Sequence, residues 1–214
     1  MAKTPAQRAA KHGDRATPGV PGVPVQAANP STQRSPAKAK SNANLILIAG
    51  VVASAFLFWY FHLLTLNQMT QLSNGLAMPD SMAFGFDTGD ITRLKAAMNA
   101  DALGQLQYVH KTAGTLFPLV FGFSWLLLIG LNVGRRALRW ALWAAPVLFA
   151  VVQLVANVLI DAMLAASPVD PAQVAWASSL TMISWALLVI SLLAAVFAFS
   201  PWGKRKGPAK PPGQ

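Results

Sequence analysis

Four long apolar runs alternate with polar segments along the 214-residue chain. Crossing the hydrocarbon layer takes roughly 20 predominantly apolar residues in a helix, and the stretches 44–66, 113–133, 138–165 and 174–200 each meet that requirement. The last three are joined by short links, so their helices are expected to pack as antiparallel neighbours. A longer outer loop, 67–112, separates the first from the second. Its first part, NQMTQLSNGLAMPDSMAFG, is polar and interrupted by Gly and Pro. Its second part, DTGDITRLKAAMNADALGQLQY, places Ile91, Leu94, Met98, Ala102 and Leu106 at spacings of three and four, which predicts an amphipathic helix. Thr88 or Asp90 would cap it. It would lie against the outer membrane face or the bundle, either as a solvated connector or as a lid.

Residues 1–41 mix Pro, Gly, Ala, Ser and basic side chains without an apolar period, so they bury too little surface to offset the entropy of ordering. They read as a disordered arm. The first apolar run begins only at Asn44, later than the core of a cleavable leader, and is expected to stay as a helix. The pattern as a whole predicts an all-α membrane protein: a four-transmembrane-helix bundle over 42–202 with an amphipathic outer-loop helix, flanked by disordered cytoplasmic tails at 1–41 and 203–214.

Composition agrees with this picture. The chain is 54% hydrophobic and 11% charged, where a soluble domain carries about 25% charged residues. Seventeen Lys and Arg face seven acids, all Asp, for a formal charge of +10. The basic residues cluster in the N-terminal arm, in the link holding Arg135, Arg136 and Arg139, and in the tail holding Lys204, Arg205 and Lys206. By the positive-inside rule these three regions face the cytoplasm. The same groups are candidate contacts for anionic lipid head groups or a membrane-protein partner; nucleic-acid binding has only charge in its favour and is not expected. With no cysteine, thiolate metal sites, iron–sulfur clusters and disulfides are excluded.

One stretch of the third run, QLVANVLIDAML, carries Gln153, Asn157 and Asp161 at intervals of four, on one helical face. Polar groups in hydrocarbon are costly, so Gln153 and Asn157 are expected to face other helices. Asp161 falls near the outer head groups, and so do His62 at the top of the first run and His110 and Lys111 at the entry to the second. These six residues form a candidate polar site. Its plain alternative is interhelical hydrogen bonding, with Asp161 hydrated and Lys111 paired to it. Neutral imidazoles on facing helices could also ligate haem iron or a metal, but no metal or cofactor is assigned. No phosphate-binding loop, H-E-x-x-H helix or G-x-S-x-G elbow is present, so no catalytic residue is assigned either.

From Phe86 to Phe199 the chain resembles a group of uncharacterised four-span bacterial integral membrane proteins. The resemblance is carried by FDTGDITRLKAAMNADALGQLQY, by TLFPLVFG entering the second span, by the basic turn and by the polar stripe of the third span. The group has an acidic residue just ahead of the Phe-Pro pair and an Asp-x-x-Glu-Asn pattern in the third span. The corresponding positions here are Gly114, Gln153, Ala156 and Asn157, of which Asn157 alone matches. The resemblance implies the four-span fold and a bacterial cytoplasmic (inner) membrane with both termini inside. It implies no activity. The reading that follows is a non-enzymatic accessory or scaffold subunit of a membrane complex. Its rivals are a small-molecule or lipid-binding protein with a polar site in the outer half, and a haem or metal protein.

Overall fold

In the computed structural model residues 36–200 are described, with side chains from Asn42 onward. The chain divides between Asn42 and Ala43 into two units, and the bundle belongs to the second. Most of the expected arm and all of the expected tail, with Lys204, Arg205 and Lys206, lie outside the described residues.

Helix α1 (Pro36–Phe58) runs into a π-helical stretch (Trp59–Thr65) and then α2 (Leu66–Leu72). A short 3-10 turn (Pro79–Ser81) follows, then α3 (Thr88–Ala97), α4 (Ala100–Lys111), α5 (Ala113–Asn132), α6 (Arg136–Ala165) and α7 (Pro171–Phe199). Four continuous stretches, Asn42–Leu72, Ala100–Asn132, Arg136–Ala165 and Pro171–Phe199, are long and apolar enough to cross a membrane. These are the dimensions of a multi-pass membrane protein.

Several boundaries differ from the sequence pattern. Helix α1 begins at Pro36, inside the expected arm; Pro suits a first helical position and the Ala-Lys run behind it favours helix, although neither adds an apolar period. The first spanning helix continues to Leu72, and the second begins at Ala100, so only 73–99 connects them. The helix expected over 88–108 is two. Asp87 caps α3 through a reciprocal box: Asp90 N–H donates to Asp87 Oδ1 at 2.8 Å and Asp87 N–H to Asp90 Oδ2 at 3.0 Å. Asn99 then caps α4, its Oδ1 accepting from Ala102 N–H at 2.8 Å. An Asn competes for the backbone in this way and interrupts a stripe that apolar spacing alone reads as continuous. Ile91, Leu94, Ala102 and Leu106 are nevertheless all buried.

Packing centres on α5, α6 and α7. The ring of Phe121 lies 5.0 Å from that of Phe149 and stacks on Trp125 at 4.0 Å. The Trp125 indole donates to the Ser191 carbonyl at 2.8 Å, linking α5 to α7. Close approach of α1 to α5 requires a glycine: a Cβ on Gly50 would sit 2.5 Å from Ser124 Oγ. The end of the bundle that carries residues 73–99 is called the loop end below; the link at Arg135, Arg136 and Arg139 marks the opposite end. In that link Arg135 and Arg136 are exposed, while Arg139 places its guanidinium 5.4 Å from the Trp143 ring centre.

Candidate functional site

At the loop end, the turn Pro79–Ser81 carries Asp80 into the bundle, where its side chain is 0% exposed. Buried Met78 and Pro79 precede it, and the Trp185 indole of α7 donates to the Asp80 carbonyl at 3.0 Å. The imidazole of His110, at the end of α4, bridges two carboxylates: Nε2 lies 3.0 Å from Asp80 Oδ2, and Nδ1 lies 2.6 Å from Asp161 Oδ1 on α6. A ring with hydrogen on both nitrogens satisfies both acceptors at once. Asp161 keeps 19% of its side chain exposed.

The expected Lys111–Asp161 pair does not form. Successive residues on a helix do not face the same neighbour, and it is His110 that turns inward while Lys111 is exposed. Asp161 is likewise not merely hydrated, because His110 holds it. Asp80 belongs to the part of the outer loop that reads as polar from the sequence, and its apolar neighbours Met78, Pro79 and Met82 are the available sign that this piece of loop is buried.

A second polar set lies deeper. Ser184 Oγ of α7 donates to Gln153 Oε1 at 2.8 Å, Gln153 Nε2 to Asn157 Oδ1 at 2.9 Å, and Asn157 Nδ2 to the Gly114 carbonyl at 2.8 Å. All four residues are buried. A Cβ at position 114 would come within 2.9 Å of Asn157 Nδ2, so the glycine leaves room for that amide. His62 stands apart, on the π-helical stretch. Its ring packs against Phe61, Phe58 and Trp185 at 4.7, 4.9 and 5.1 Å. Among the described residues neither His62 Nδ1 nor Asp80 Oδ1 has a hydrogen-bond partner.

Four of the six candidates, His110, Lys111, Asn157 and Asp161, line one cleft of about 470 Å³ between the α4–α5 junction and α6. Gln153 sits behind Asn157, and His62 is not in the cleft. No group of three or more His, Asp or Glu that could hold a metal ion occurs among the described residues. His110 could ligate iron or a metal only by releasing a carboxylate, since both of its ring nitrogens are engaged.

Burial by itself raises the Asp80 carboxyl, but the charge and hydrogen bond of His110 outweigh it and hold Asp80 below the ordinary carboxylate value. A carboxylate depressed on folding contributes stability that is present above its unfolded pKa and lost as pH falls through its folded pKa. The protein in mild detergent is therefore expected to lose thermal stability as pH falls below about 4, and Asp80→Asn to flatten that loss. Thermal melts at a series of pH values check this; an unchanged acid slope in the variant would count against it.

Comparison of the chain with family models, with curated proteins and with solved structures finds no match. None of these comparisons supports the resemblance read from Phe86 to Phe199, while the four apolar helices are compatible with a membrane protein.

Proposed function

We propose that this multi-pass protein binds an amphipathic small molecule or lipid in the cleft between the α4–α5 junction and α6. The observation that carries the reading is the convergence of Lys111, Asn157 and Asp161 on one cleft that also has an apolar wall, Leu154, Val158 and Ala162. Its volume falls within the range of small-molecule sites, about 300–1,000 Å³. The positive-inside rule supports a cytoplasmic position for the end that holds Arg135, Arg136 and Arg139, and with it a reading of the cleft as facing the outer leaflet of a bacterial cytoplasmic membrane.

Ala162 is exposed on the cleft wall and touches neither polar set, so Ala162→Trp fills the cleft and leaves the buried bonds in place. Native mass spectrometry of the full chain extracted in mild detergent is expected to show a co-purifying amphipathic molecule on the parent protein. On the variant that molecule should be depleted by about tenfold, matching the loss of roughly 1.4 kcal/mol of contact. Equal retention by both proteins would remove the cleft from consideration.

A second reading, an accessory or scaffold subunit, is favoured by α1. Only 11% of the most apolar window of the first spanning helix is buried, against 33–50% for the other three. Leu45, Ile48, Val52 and Phe56 are exposed along it, a face open to lipid or to a partner helix.

A further inference from the structure

The cleft and the buried cluster share Asp161, and the arrangement of charge around it narrows what the cleft can hold. Two carboxylates and one imidazole share the cluster. With hydrogen on both nitrogens of His110, one positive charge faces two carboxylates and one negative charge remains. Asp80 is sealed from solvent, so the accessible part of that charge is the Asp161 carboxylate, which lines the cleft. Only its Oδ1 is engaged by His110. Lys111 lines the same cleft, yet no ion pair joins it to Asp161 among the described residues. An acid and a base that face one cleft without meeting leave both charges open to a ligand that carries both signs.

Resting on the binding proposed for this cleft, we infer that its ligand is a zwitterionic phospholipid with a primary-ammonium headgroup, the ammonium on Asp161 and the phosphate on Lys111. Three observations select this class. None of the residues lining the cleft is Phe, Tyr or Trp, so a quaternary ammonium would find no aromatic cage. A primary ammonium has three donors for the carboxylate and for the nearby Thr115 hydroxyl oxygen. Val158 of the lining is exposed, and further exposed apolar side chains lie within about one turn of lining residues on both flanking helices, Leu116 and Leu119 on α5 and Val151 and Val155 on α6, a surface suited to acyl chains rather than to a free solute.

The test titrates the full chain in mild detergent with short-chain phosphatidylethanolamine, phosphatidylcholine and phosphatidylglycerol, read by native mass spectrometry. Phosphatidylethanolamine is expected to bind about tenfold more tightly than the other two, the worth of one charge-assisted hydrogen-bonded contact. Asp161→Asn should erase that preference, and Lys111→Gln should weaken all three lipids. If Asp161→Asn fails to fold, Lys111→Gln and Ala162→Trp still decide the matter, since neither touches a buried polar group. Equal affinity for ethanolamine and choline lipids would overturn the headgroup assignment. Competition by chain-free phosphoethanolamine at the same concentration as the lipid would overturn the lipid source. A preference for the glycerol lipid that Ala162→Trp abolishes would sink this inference and leave the cleft reading standing; lipid binding that Ala162→Trp does not alter would sink both.

Discussion

Replacing His110 with Leu is expected to lower the stability of the bundle by about 3–5 kcal/mol, the range for removing one partner of a buried charged pair. The imidazole satisfies Asp80 and Asp161 together, at 3.0 and 2.6 Å. Without it Asp80, with 0% of its side chain exposed, loses its hydrogen-bonded partner, whereas Asp161 can turn part of its carboxylate to the cleft. Most of the loss therefore comes from Asp80, and the loop that carries it should leave the bundle first. Reversible unfolding in mixed detergent micelles measures the effect, and hydrogen exchange over residues 73–87 reports the loop. The triple variant Asp80→Asn, His110→Leu, Asp161→Asn should recover much of the stability, because removing a whole buried ionic set is close to neutral. A single variant as stable as the parent would mean that the cluster is not a charged pairing.

The next largest effect is expected at Asn157. Substitution by Leu removes the bond to the Gly114 carbonyl and the acceptor for Gln153 Nε2, leaving both groups buried without partners. Interhelical hydrogen bonds in membranes average about 0.6 kcal/mol, while orphaning a buried polar group costs about 1–3 kcal/mol. The second figure applies here, because both residues are buried and Pro118, four residues after Gly114 in the helix, has no N–H to offer its carbonyl. The micelle assay measures this as well. A cycle with Ser184→Ala should show coupling of at least about 0.5 kcal/mol, since Ser184, Gln153, Asn157 and Gly114 form one bonded series. Strict additivity of the two substitutions would show that the series does not act as a unit.

Much of this architecture was legible in the chain itself. Runs of 20 or more apolar residues admit few alternatives, because a backbone in hydrocarbon must satisfy its own hydrogen bonds. The four spanning helices follow from that constraint, and so does the inward placement of Gln153 and Asn157, whose interval of four fixes them to one face. Other features needed the folded chain. The stripe from Ile91 to Leu106 was visible, but its break was not, since Asn99 acts through a local cap and leaves the apolar period intact. The π-helical stretch Trp59–Thr65, which sets His62 among Phe58, Phe61 and Trp185, has no mark in hydropathy at all.

Sequence alone determined the four helices long and apolar enough to cross a membrane and put His110, Lys111, Asn157 and Asp161 near one end, because hydropathy and helical period act over short distances. Tertiary structure alone decided the pairing among them. Asp80 and His110 are thirty positions apart and His110 and Asp161 fifty-one, and for Asp80 only the apolar neighbours Met78, Pro79 and Met82 hint at burial in an otherwise polar loop. What brings the three together is the turn at Pro79 folding back into the bundle under the Trp185 indole. Burial there makes an unpaired carboxylate costly enough that the imidazole of His110, and not the exposed ammonium of Lys111 beside it, becomes the partner of both acids.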